Sequence, residues 1–109
     1  MNAGGDHVDF SAGPNDMAVL REQAWVGDAV LALYARRWII ANAPKNADRT
    51  ELFKHMTSNS FLSGLGEPTR VEAKIGRVYE ADGEKAAFDY IEGVILPLFK
   101  KQNAPKGRR

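Results

Sequence analysis

Asp28 and Glu72 are the residues of this 109-residue chain whose settings most invite chemistry. Asp28 directly follows Gly27 within LREQAWVGDAVLALYARRWII, residues 20–40, an almost continuously apolar run. Glu72 stands four residues before Gly76 in TRVEAKIGRVYEADG, residues 69–83. A helical glycine leaves room for a second backbone, so two helices crossing at these glycines would turn both carboxyl groups toward one cleft. Two oxygen ligands, completed by waters and a phosphate, suit Mg2+ or Mn2+, which keep part of their hydration and bridge phosphate oxygens. The matching reaction is attack of metal-activated water on a phosphodiester. Spacing alone leaves the plain alternative open, because helical proteins carry many exposed carboxylates that bind nothing.

The elements that must hold this pair are helices. Leu20, Ala24, Gly27, Leu31, Tyr34 and Trp38 recur at spacings of three and four, and Val26, Val30, Leu33 and Arg37 form a second such line. Apolar residues covering more than one stripe predict an inner helix packed on several sides. Burial there would make Asp28 costly unless a metal, a cation, hydrogen-bond donors or water met it. Asn15 or Asp16 is the expected cap of this helix, which should end near residues 41–43, before Pro44. Asp48, with Glu51 three residues on, resembles a capping box for a short helix carrying Leu52, Phe53 and Met56. Ser58 is placed to cap a further turn with Phe61, Leu62 and Leu65, closed by Gly64 and Gly66. His55 in this segment reads as a surface or half-buried histidine rather than a catalytic one. Pro68 and Thr69 open the helix with Val71, Ile75, Val78 and Tyr79 on one face, and Asp82-Gly83 ends it. Residues 84–99 form the last helix, which Pro97 bends or shortens. No strand and no internal repeat is apparent, so the expectation is an all-α chain of five or six helices.

Composition bounds the class. At 44% hydrophobic residues, the chain suffices for one compact domain and is short for two. The organisation expected is a loosely ordered lead over residues 1–15, a helical domain over 16–99 and a basic tail over 100–109. The absence of cysteine excludes disulfides, zinc-thiolate sites and thiol catalysis. With no membrane-length apolar run and no signal-type N-terminus, a soluble cytoplasmic protein is expected. The DHVD at residues 6–9 sits among glycines that would leave a metal site poorly preorganised, so it reads as a solvated lead, with Val8 and Phe10 touching the body. The net charge of +1 conceals an asymmetry: the tail KKQNAPKGRR holds five of the fifteen basic residues and no acidic one. Such a tail is either an arm for phosphates or a solubilising end.

The ordering of these blocks resembles the ribonuclease III domain family. WVGDAVLALYARRWI, residues 25–39, looks like its signature: an aromatic or large residue, an apolar residue, Gly-Asp, a small residue and an apolar helix. VEAKIGRVYEADGEKAAFDYI, residues 71–91, is similar to its second block, and TELFKHMTSNSFLSGLG, with Asn59, to the helix pair between them. The resemblance implies a dimeric helical endonuclease domain that cuts double-stranded RNA with magnesium, with Asp28 and Glu72 as metal ligands. Larger members carry further carboxylates where this chain has Ala24 and Thr69, and another where it has Arg21. The compact Mini-ribonuclease III subfamily is the more similar in having a small residue and a threonine near those places and in lacking a separate double-stranded-RNA-binding domain. That subfamily implies a structured ribosomal RNA precursor as substrate. Lys74 and Arg77 stand where the family has apolar or small residues, turning that helix toward RNA or a partner.

Two functional readings follow. One is a homodimeric, magnesium-dependent endoribonuclease, with manganese as a substitute ion and Asp28 and Glu72 as catalytic metal ligands. The other is a catalytically silent module binding structured RNA or a ribonucleoprotein, motivated by Ala24 and Thr69. In either, the residues for RNA phosphates are Arg36, Arg37, Lys45, Arg49, Lys74, Arg77, Lys100 and Lys101, with Lys106, Arg108 and Arg109 beyond them. Phosphate contacts position an A-form duplex without reading its sequence.

Overall fold

The computed structural model describes residues 14–103, with side chains described from residue 16 onward. The DHVD segment, Val8, Phe10 and the tail residues Lys106, Arg108 and Arg109 lie outside the described residues. The helices are α1 (Pro14–Asn42), α2 (Arg49–Thr57), α3 (Asn59–Leu62), α4 (Pro68–Tyr90) and α5 (Leu96–Gln102), with a π-helical stretch, Ile91–Ile95, joining the last two. The all-α expectation is met, and no strand occurs among the described residues. The expected five or six helices reduce to four of more than one turn, because α3 is a single turn and the π stretch continues α4 into α5.

Local chemistry sets most of the boundaries. Asp48 caps α2 by accepting the Glu51 amide at 3.1 Å, and Ser58 Oγ caps α3 by accepting the Phe61 amide at 3.0 Å. Asn15 or Asp16 is the expected cap, but Pro14, whose fixed φ suits a first turn, is already helical, so both lie inside α1 rather than at a cap position. Glu67 caps α4 through the Arg70 amide at 3.0 Å. Gly83 breaks α4 with φ 93°, a left-handed conformation that glycine adopts without the Cβ penalty. The π stretch falls just before Pro97, which cannot bond back to residue 93 and would crowd that carbonyl in a regular turn.

At 1.5 Å per residue the 29-residue α1 is roughly 44 Å long, which accounts for the elongated 52 × 24 × 23 Å body. One face of α1, with Val30, Leu31, Tyr34 and Ala35, joins Met56, Phe61, Leu62, Ile75, Ala87, Ile91, Ile95, Leu96 and Phe99 in the main core. A smaller cluster of Leu20, Ala24 and Ala73 continues it toward the start of α4. The opposite face of α1 is bare: Trp25 is 79% exposed, Ile40 64% and Leu33 38%. The expectation of a helix covered on several sides is thus corrected, since α2, α3, α4 and α5 cover one flank only. Tyr79, expected on the core face of α4, is exposed as well.

His55 is half-buried and structural. Its ring lies edge-on to Phe61 and Phe99, at 5.5 Å and 5.2 Å. Its Nε2 bonds Gln102 Oε1 at 3.0 Å, and Asn103 Nδ2 donates to Nδ1 at 3.3 Å, fastening the end of α5 to α2. No helix among the described residues is long and apolar enough to cross a membrane.

Candidate functional site

The axis of the site is the α1–α4 crossing. A Cβ built on Gly27 would fall onto the Glu72 carbonyl oxygen and come within 2.9 Å of the Gly76 amide nitrogen. One built on Gly76 would fall onto the Gln23 carbonyl and meet the Gly27 nitrogen at 3.1 Å. Backbones touch here because neither residue has a side chain. Close approach brings the next outward-facing groups together: the carboxyl groups of Asp28 and Glu72 hydrogen-bond to one another.

Asp28 is exposed and Glu72 half-buried. The burial expected of Asp28 is therefore corrected: it lies at the rim of a cleft, where water reaches it, and Glu72 carries more of the desolvation. Burial raises the Glu72 carboxyl from its usual 4.5 to about 7, aided by the negative charge of Asp28, the hydrogen bond between them and the charge of Glu67. Two carboxyl groups in this contact share a proton at neutral pH or call for a cation between them.

The cleft, about 400 Å³, is lined by Arg21, Ala24, Trp25, Asp28, Thr69 and Glu72. Helical spacing explains the set, because Arg21, Ala24 and Trp25 precede Asp28 by seven, four and three residues, and Thr69 precedes Glu72 by three. Ala24 is 6% exposed, its methyl packed in the cluster with Leu20 and Ala73, so a small apolar group fills this wall of the cleft. Among the described residues no group of three or more His, Asp or Glu side chains converges to hold a metal. The donor set fits a divalent ion that keeps several waters and does not amount to an all-protein cage. Arg21 and Trp25 are members of this cleft that sequence reasoning did not assign to the site, although their spacing from Asp28 was the available signal.

The basic residues expected to meet RNA do not gather around this cleft. Arg37 donates to Glu84 at 3.0 Å, and Arg77 Nη1 reaches Gln23 Oε1 at 3.4 Å beside the helix crossing. Lys74 points its ammonium toward the Tyr90 ring, 5.9 Å from its centre. Lys45 is exposed in the loop after α1, and Lys100 and Lys101 are exposed on the last turn of α5. Arg36 and Arg49 are the two that come together, on a separate cleft with Ile39, Ile40, Thr50 and Phe53.

No protein-family model, curated protein or solved structure matches the chain in comparison.

Proposed function

We propose that the chain is a divalent-metal-dependent endoribonuclease of the ribonuclease III type, closest to Mini-ribonuclease III, acting on structured or double-stranded RNA such as a ribosomal precursor. The observation that carries this reading is the contact of Asp28 with Glu72 at a glycine-glycine helix crossing, with Glu72 raised to about 7. Two ionised carboxylates in contact repel unless a proton or a cation lies between them, and a carboxyl perturbed by burial and a like charge in a cleft is a candidate functional group.

In this reading Asp28 and Glu72 would hold Mg2+, with Mn2+ as substitute, and the ion would supply Lewis-acid activation of water and phosphate. Because a carboxyl ligand must be deprotonated, an ion held by this pair would bind more tightly as pH rises through about 7. The Arg21 guanidinium on the same cleft is suited to a phosphate oxygen, and the Thr69 hydroxyl to a bound water. A homodimer belongs to the same reading, supported by the bare stripe of Trp25, Ala29, Leu33 and Ile40 on α1, since apolar side chains at this spacing make a helix face that water does not favour.

Incubation of the protein with structured RNA and Mg2+ or Mn2+ tests it: cleavage by the parent, and none by Asp28→Asn with the fold retained, is expected. Equal cleavage by the variant would remove Asp28 from the mechanism. A second reading, a silent module that binds structured RNA or a ribonucleoprotein, is favoured by the methyl of Ala24 in place of a third carboxylate and by the cation of Arg21 on the same wall. RNA binding by the parent with no cleavage under either metal would select that reading.

A further inference from the structure

The cleft formed by Arg36, Ile39 and Ile40 of α1 with Arg49, Thr50 and Phe53 of α2 differs in kind from the acid cleft. It encloses about 330 Å³, and two of its six lining residues are arginines while none is acidic. Arg36 lies eight residues beyond Asp28 on α1, roughly 12 Å along the helix axis. Its guanidinium carbon lies over the Phe53 ring, 4.2 Å from the centroid, a cation–π contact that holds the group on the wall of the cleft. Arg49 approaches from the first turn of α2. Among the described residues neither guanidinium is within ion-pair distance of a carboxylate, unlike Arg37, which is paired with Glu84. The nearby carboxylate of Asp48 accepts the Glu51 amide. Ile40, 64% exposed, provides an apolar wall that no described residue covers.

We infer that this cleft is a nucleotide-binding subsite, in which Arg36 and Arg49 take a phosphate and Ile40, with the Arg36–Phe53 pair, takes the base. Two guanidiniums lining one cleft from different helices favour an anion with several acceptor oxygens, because guanidinium donors match phosphate in a two-pronged geometry. The apolar wall selects against a bare ion. A guanidinium held over one ring beside an open apolar wall suits a second flat ring, since proteins hold unpaired bases against arginine and aromatic side chains. A cleft of this volume is at the small end of ligand sites, suited to one nucleotide unit. The inference does not depend on metal binding or cleavage by Asp28 and Glu72.

The test is a titration of the full chain with AMP in metal-free buffer, followed by NMR shifts of backbone amides and arginine side-chain resonances. Saturable shifts centred on residues 36, 40, 49, 50 and 53 are expected, with AMP binding more tightly than inorganic phosphate or adenosine. Arg49→Gln, at an exposed position, should weaken AMP at least about tenfold, as expected for loss of a charge-assisted bond. Lys85→Gln, which removes an equal charge from a residue paired with Asp89, should not. Oligoadenylate perturbing the same residues more tightly than AMP would identify the occupant as a strand; the reverse order, a free nucleotide. Shifts spread over every basic residue, equal weakening by both variants, or equal binding of phosphate or octanoate would overturn the assignment.

Discussion

Replacing Asp28 by Asn removes one charge from the acid pair, and the effect on Glu72 follows from the geometry. Glu72 binds its proton more tightly in the folded protein, at about 7, than in the unfolded chain, at 4.5. Folded molecules therefore hold more protons between these values, and stability falls as pH rises from about 4.5 to about 7, then stays level. A rise from 4.5 to 7 corresponds to about 3 kcal/mol at full strength. Glu72 is half-buried with its cleft open to water, and solvent screening reduces this to about 1 kcal/mol. Burial, the largest cause, survives the substitution, so removal of the Asp28 charge returns only part of that, less than about 1 kcal/mol. Two measurements check this. Carboxyl NMR should find the Glu72 midpoint well below 7 in Asp28→Asn, and urea unfolding should find the variant gaining on the parent between pH 5 and pH 8. An unmoved Glu72 midpoint, or a stability difference identical at both pH values, would refute the claim that the two carboxyls are coupled.

Gly27→Ala should destabilise the fold by about 2 kcal/mol or more in urea unfolding, because the new methyl would strike the Glu72 carbonyl and force α1 from α4. Gly93→Ala is its control: a Cβ there meets nothing within 4 Å, so the helical gain of up to about 1 kcal/mol should appear unopposed. Asp48→Ala should cost about 1 kcal/mol by leaving the Glu51 amide uncapped, seen as a lower urea midpoint with no change in the dependence on denaturant.

Helix identity and many ends were legible from the chain because their causes are local. Asp48, Ser58, Gly83 and Pro97 act within a few residues of themselves, and each falls at or beside a boundary in the structure. The start of α1 was misread because Asn15 and Asp16 are capable caps, while Pro14, one position earlier, suits the first turn as well. The pairing of Asp28 with Glu72 was also within reach of sequence reasoning, since each stands at a fixed offset from a glycine and two glycines permit one close crossing.

What the sequence by itself determined is the all-α character, the two glycine-marked helices and the carboxylates they carry, because periodicity and caps act along the chain. Only the tertiary structure decided exposure. An apolar helix written as though for an interior has one flank uncovered, since the short α2, α3 and α5 and a single long α4 cannot surround 29 residues. For the same reason Asp28 meets water while Glu72 carries the desolvation, and Arg36 and Arg49, thirteen residues apart, face one cleft while Arg37 and Arg77 bond within the chain. Distances between helices depend on which faces pack, and no local pattern specifies that.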